Sequence, residues 1–131
     1  MKYILMMHGT KASWDQYATW SKQDLEANVA FMRTFSKELR ESGALVATEG
    51  LGWPGQAKVV RAGEKGEPIT DGIFPESKEF LAGYWIVDVG NAEAAYRIAA
   101  RVSHAPGPGG NPGNIPIEVR PVMGSHADLG L

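Results

Sequence analysis

The sequence contains no cysteine among its 131 residues. Disulfide bonds, thiolate nucleophiles and cysteine zinc sites are therefore excluded, and the cytoplasm, a reducing compartment, is the expected location. An excess of positive charge is also missing, since 13 Lys and Arg residues stand against 15 Asp and Glu residues. Nucleic acid is not a predicted partner, because its binding needs a basic surface that releases counterions.

Long apolar runs are absent as well. No stretch approaches the roughly 18 to 20 apolar residues of a membrane span, and the run after Lys2 is too short for a secretory signal. What is present is an ordinary globular composition, with 44% hydrophobic and 21% charged residues. We expect a single domain over residues 1–123 and a mobile tail over residues 124–131.

Apolar periodicity predicts strands and helices in alternation. An apolar stripe with helical spacing begins after the cap residue Ser21 and ends at Gly43. The Ser21 hydroxyl is expected to accept from the backbone N–H of Asp24. A second helix follows the cap residue Asn91. Short apolar or alternating runs predict strands at residues 3–7, 45–49, 58–61, 67–70, 80–89 and 117–122. Four prolines and four glycines in residues 105–116 exclude regular structure there and predict a flap or lid.

This order of elements is typical of an α+β fold, the ferredoxin-like split βαβ antiparallel sheet with two helices on one face. Strands 3–7 and 80–89 are apolar at nearly every position, so the other face of the sheet must also be covered. A second copy laid sheet to sheet is the simplest cover. We therefore expect a homodimer, with a small-molecule pocket between each sheet and its cover.

The densest group of chemically useful side chains lies in residues 70–79, at the entrance to the most apolar strand. A carboxylate at the mouth of an apolar pocket loses hydration and becomes a better proton acceptor. Asp71 is therefore a candidate catalytic base, and Glu76 and Lys78 are candidate binding residues. The alternative is that Asp71 only stabilises a turn and that the other charges are solvated.

The same segment, Asp-Gly-Ile-Phe-Pro-Glu-Ser-Lys-Glu at 71–79, resembles the Asp-Gly-Pro-Phe (DGPF) signature of the YCII-related (YciI-like) family. Residues 81–85, 49–51, 1–6 and 117–122 are similar to the family too. The resemblance implies a ferredoxin-like fold that dimerises into an α/β barrel, with an activity that is largely unassigned. Ile73 stands where the signature has proline.

Smaller members of the family carry a His-Asp pair, which implies proton-transfer or elimination chemistry. This sequence has no histidine at the corresponding place near Ser21, so His8, at the end of the first strand, is the candidate substitute. The alternative is a histidine that merely hydrogen-bonds at a sheet edge. His104 and His126 lie far away in sequence, and the scattered histidines predict no metal site; no cofactor is expected either.

Three further residues are candidates for ligand binding. Trp14, with Tyr17 and Trp20 at spacings of three, would form an aromatic wall, although core packing explains the same pattern. Tyr84 lies in the most apolar strand. Arg120 would bind an anion, or alternatively would form a structural ion pair with a carboxylate, that of Glu118 or Glu49.

Two functions remain open from the sequence. The first is a dimeric, cofactor-independent enzyme, a lyase, isomerase or dehalogenase, in which Asp71 accepts a proton and His8 is its partner. Lys78 or Arg120 would stabilise the anionic intermediate. The second is a ligand-binding or regulatory module that uses the same cavity without turnover.

Overall fold

The computed structural model describes residues 1–72 and 79–131. Its described part is a mixed α+β structure with one four-stranded antiparallel sheet, one two-stranded sheet and three α-helices. The elements are, in chain order, β1 (Lys2–Thr10), α1 (Lys11–Tyr17), α2 (Lys22–Glu41), β2 (Leu45–Gly50), β3 (Lys58–Ala62), β4 (Pro68–Gly72), β5 (Glu79–Asp88), α3 (Ala92–Ser103) and β6 (Ile117–Pro121).

The four-stranded sheet has the order β2-β5-β1-β6, and all its neighbouring strands are antiparallel. This order agrees with the split βαβ plan expected from the sequence. Strands β3 and β4 form a separate hairpin, as predicted. Both sheets are open along the described residues, and no closed barrel is seen there.

The ends of the two long helices confirm the predicted caps. The Ser21 hydroxyl accepts from the Asp24 backbone N–H, and the Asn91 side chain caps α3 in the same way. Helix α2 ends where Gly43 adopts a φ of 80°, a left-handed conformation that glycine takes at little cost. The Asp24 carboxylate accepts a hydrogen bond from the Gly109 N–H in the Pro/Gly-rich loop.

Helix α1 was not predicted from the sequence. Thr10 and Ser13 form a capping box at its start, because the hydroxyl oxygen of each accepts a hydrogen bond from the backbone N–H of the other. The spacing of three between Trp14 and Tyr17 fits this helix. Strand β1 correspondingly runs on to Thr10, so His8 lies within the strand instead of at its end.

The Pro/Gly-rich loop is more ordered than its composition predicted. It contains a 3₁₀ turn, Pro108–Gly110, and an isolated bridge between Pro106 and Pro112. The Asn28 side chain donates to the Pro106 carbonyl at 3.0 Å, which ties the loop to α2. Neither an α-helix nor a strand falls in residues 105–116, so the prediction of a long loop is confirmed apart from this short turn and bridge. The lid role stays a prediction.

One face of the four-stranded sheet carries the core. Alternate residues of β1 and β5, together with α2 and α3, form a single cluster of nearly solvent-free side chains. Helices α2 and α3 therefore pack on the same face. The buried members are Tyr3, Leu5, Phe35, Leu39, Trp85, Val87, Ala95, Ala99 and Val102.

Strand β5 contains one extra residue opposite β1. Met7 pairs with Gly83 and His8 pairs with Leu81, so Ala82 has no partner on β1. On the other side of β5, the Ala82 carbonyl accepts from the Leu51 N–H at 2.8 Å. The bulge therefore places Leu81 beside His8. Its Ala82 carbonyl anchors Leu51, the first residue after β2.

Candidate functional site

The face of the sheet opposite the helices, called the open face below, carries three of the predicted site residues, His8, Tyr84 and Arg120. The register pairs Ile4 with Ile86 and Arg120, and Met6 with Tyr84 and Glu118. Because side chains alternate along a strand, all of these point away from the core cluster. The apolar members are Ile4, Met6, Leu81, Tyr84 and Ile86, and each is only half-buried in one chain.

His8 and Glu118 form the central polar contact of the open face. The His8 Nε2 and Glu118 Oε1 atoms are 3.0 Å apart, although the residues are 110 positions apart in sequence. The imidazole is 26% exposed and the carboxylate 48% exposed. Since a carboxylate only accepts, Nε2 carries the proton in this contact, and the other ring nitrogen can exchange a proton with a ligand.

The partner of Glu118 differs from the predicted one. The sequence suggested an ion pair between Glu118, or Glu49, and Arg120, whereas the Glu118 carboxylate contacts His8. In the described residues Arg120 makes no ion pair, and its side chain lies on the same face as Glu118, two positions further along β6. Glu49 pairs with Tyr84, and three strand spacings, about 14 Å, separate it from β6.

Asp71 lies on the two-stranded sheet. Its carboxylate accepts from the Arg61 guanidinium at 3.0 Å, and both side chains are mostly exposed. Asp71 and His8 thus each contact a different side chain, and their action as a pair stays a prediction. Glu76 and Lys78 lie outside the described residues.

Trp14 belongs to an aromatic cluster with Tyr17, Trp20 and Trp53. The Trp14 ring centre is 4.9 Å from that of Trp53 and 6.3 Å from that of Tyr17. The Trp14 indole packs so closely on Gly9 that a Cβ atom there would lie 2.9 Å from its Nε1. The aromatic residues noted in the sequence therefore form a cluster, and Trp53 is the member that the sequence did not indicate. That this cluster is a wall for a ligand stays a prediction.

A cavity of about 590 Å³ lies between the start of β5 and the segment that follows β2. One of its walls includes Leu81, which is the partner of His8 in the sheet. Trp53 lines the cavity, and its ring is tilted by 59° against that of Trp14. The other lining residues within the described part of the chain are Leu51, Gly52, Pro54, Gln56, Ala57, Val59, Glu79 and Phe80.

Comparison with known proteins identifies the relatives of this chain. The sequence model of the YCII-related domain matches residues 1–107. The chain belongs to the YCII-related family. An uncharacterised protein of Rhizobium meliloti (strain 1021) is 30% identical over 106 residues, which are 80% of this chain and 81% of that protein. This membership confirms the family that the sequence resembles. The DGPF subgroup is a finer assignment and stays a prediction.

Within residues 1–72 and 79–131, no three His, Asp or Glu side chains lie together as a metal site would require. Within the same residues, no helix is long and apolar enough to cross a membrane. The His8–Glu118 pair and the cavity beside Leu81 are therefore the candidate functional features of the described residues.

Proposed function

We propose that this YCII-related protein is a cofactor-independent enzyme of proton transfer that acts on a small molecule over the open face. His8 is the acid–base group, and Glu118 is the positioning residue that fixes its ring. The 3.0 Å contact between these two side chains carries the proposal. An oriented imidazole on a partly apolar surface is a frequent device for moving a proton to or from carbon.

The proposal includes a second copy of the chain laid against the open face. Ile4, Met6, Tyr84 and Ile86 form a continuous apolar surface that water would otherwise wet. Two such faces in contact would enclose His8 and make a dimeric α/β barrel from two ferredoxin-like sheets. The DGPF subgroup and a cytoplasmic location belong to the same proposal.

Carbon-bound proton exchange in D₂O tests the proposed chemistry on simple compounds, whatever the natural substrate is. NMR would follow the loss of C–H signals from small ketones and oxo acids in the presence of the protein. We expect saturable exchange that His8→Gln lowers by about 10²- to 10⁴-fold. His104→Gln, at the end of α3, is the matched control. Equal exchange by the two variants contradicts the role of His8.

A comparison of Glu118→Gln with Asp71→Asn identifies the carboxylate that assists His8. If Glu118 positions the ring, Glu118→Gln slows exchange and changes the ¹⁵N shift of the His8 imidazole, while Asp71→Asn leaves both unchanged. The reverse result would make Asp71 the proton acceptor predicted from the sequence. The ¹⁵N shift is the decisive readout, because general loss of stability would not alter it selectively.

A ligand-binding or regulatory module without turnover is the second candidate. The cavity beside Leu81 favours it, because the cavity walls are largely apolar and Glu79 is their acidic member among the described lining residues. Such a cavity binds a ligand without needing an acid–base pair. Specific binding to wild type with no proton exchange at any pH would support this function over the enzymatic one.

A further inference from the structure

Opposite charges flank the apolar centre of the open face. In the strand order β2-β5-β1-β6, the edges of the sheet are β2 and β6. Glu49 on β2 lies directly opposite Tyr84, so its side chain projects from the open face together with Tyr84. Arg120 on β6 lies directly opposite Ile4. An acid therefore stands at one edge of the apolar surface and a base at the other.

Glu49 and Arg120 have no charged partner among the described residues of their own chain. Within residues 1–72 and 79–131 neither side chain forms an ion pair, and both are exposed. The acid nearest to Arg120 on β6, Glu118, contacts His8 instead. When an apolar face is covered, a charge at its rim loses hydration and needs a partner of opposite sign. An occupant of the open face must therefore supply a base and an acid at matching positions.

A second copy of the chain supplies these charges when the two-fold axis runs along the strands, between β5 and β1. Such a rotation reverses the strand order across the interface, so that β2 lies over β6 of the partner subunit and β5 lies over β1. Each acidic edge then meets a basic edge, and the symmetry makes this contact twice. An axis across the strands would instead place each strand over its own copy, so that the two Glu49 side chains approach each other. Repulsion between like charges disfavours that orientation.

The separation of the two side chains across this interface suits an arginine. Packed sheets lie about 10 Å apart, and side chains from both copies fill that space. Along the strands, Glu49 is one step of about 7 Å from the level of Arg120, because Tyr84 and Ile86 are two residues apart on β5. An arginine spans such a step by laying its aliphatic stem along apolar side chains while its guanidinium reaches a carboxylate.

We propose that two copies of the chain pack sheet to sheet about this axis, and that Glu49 of each copy binds Arg120 of the partner subunit. The apolar side chains of the open face close between the two ion pairs, which form the polar rim of the interface. This inference rests on the dimer of the proposed function. It adds the direction of the axis and the residues that select a second copy as the partner, and it does not depend on proton transfer.

Charge reversal tests this arrangement. Glu49→Arg gives a chain with arginine at both edges of the open face, and Arg120→Glu gives a chain with glutamate at both edges. Each variant alone meets like charges twice, so we expect its dimer dissociation constant to rise at least about tenfold. In an equal mixture the two variants are complementary and should form a mixed dimer with an affinity close to that of wild type. Sedimentation measures the association, and native mass spectrometry identifies the mixed dimer.

Two kinds of control accompany these variants. Glu93→Arg and Arg97→Glu reverse exposed charges on α3, on the other side of the sheet, and should associate like wild type. The double variant Glu49→Arg/Arg120→Glu exchanges both charges and should regain a homodimer. Should a reversed charge disturb folding, as far-UV circular dichroism would show, Glu49→Gln and Arg120→Gln remove the charges instead. Each should weaken the dimer about two- to tenfold, and the two changes together should cost little more than either alone.

The outcomes separate this inference from the proposed function. If wild type dimerises but the reversals at Glu49 and Arg120 behave like the α3 controls, the dimer stands and this orientation is overturned. If Arg120→Glu pairs with Glu118→Arg instead of with Glu49→Arg, the axis runs across the strands and this orientation is overturned as well. If the mixed dimer forms but no His8-dependent proton exchange is found, the enzyme is wrong and the interface stands. Wild type that stays a single chain overturns both the dimer and this inference.

Discussion

The two faces of the four-stranded sheet come from the same strands but have opposite characters. On the helix side, Leu5 and Val87 are fully buried among α2 and α3. On the open side, their sequence neighbours Met6 and Ile86 are only half-buried, and polar side chains lie beside them. The first face contains the core, and the second face carries none of the described helices.

This comparison teaches that apolar content alone does not tell the two faces apart. Residues 3–7 are apolar at every position, so the sequence shows no alternation. The distinction comes from β6, where Glu118 and Arg120 alternate with Ile117 and Val119. A polar residue on the edge strand marks the face that the helices leave uncovered.

The largest expected difference between the faces is in stability. Leu5→Ala should lower the free energy of unfolding by about 2 to 5 kcal/mol, because it opens a cavity in a packed core. Met6→Ala should cost clearly less when measured at high dilution, where the open face meets water. Urea unfolding of both variants gives the comparison. Equal losses at high dilution would contradict the difference between the faces.

The next effect concerns association. Ile86→Lys places a charge in the centre of the open face, so it should abolish self-association while leaving the far-UV circular dichroism spectrum unchanged. Tyr96→Lys, at an exposed position on α3, is the control and should associate like wild type. Sedimentation at micromolar concentration measures both. Wild type that sediments as a single chain at every concentration would refute the proposed dimer.

A smaller effect is expected at the helix caps, which hold α2 and α3 on the covered face. Asn91→Ala should cost about 1 kcal/mol, since the Ala94 N–H loses its 2.9 Å hydrogen bond. Ser21→Ala should cost a similar amount. Thermal or urea unfolding measures both losses. Asn91→Asp, which also caps, should retain most of the stability.

The smallest effect is expected on the hairpin, which belongs to neither face. The Arg61–Asp71 ion pair is exposed, so its coupling energy should be about 0.2 to 1 kcal/mol and should fall with added salt. A double-mutant cycle with Arg61→Gln and Asp71→Asn measures this energy. A coupling of several kcal/mol would mean that the pair is buried by a partner.

The long elements of the fold could be predicted because their signals are local. Helix α2 is marked at both ends, by Ser21 and by Gly43, and a strong apolar stripe lies between them. Helix α1 has only seven residues and buries none of them, so its stripe is too short to detect. Its capping pair, Thr10 and Ser13, was the available signal.

The candidate site could be predicted only in part, because contacts across a sheet depend on register. His8 and Arg120 were selected from residue type and position, but the contact between His8 and Glu118 joins opposite ends of the chain. The split βαβ plan places β6 beside β1. Aligning these two strands from the sequence alone would therefore have brought Glu118 near His8. Trp53 was missed because it lies in a glycine- and proline-rich connection where no periodicity operates.

The unpaired Ala82 in β5 has an evolutionary consequence. The pairs Leu5–Trp85 and Tyr3–Val87 fix the inner half of the strand, and the extra residue absorbs the offset before Leu81. Changes of length upstream of Ala82 can therefore reshape the cavity beside Leu81 without disturbing the packing around Trp85. The interior of the sheet then stays constant while its rim varies.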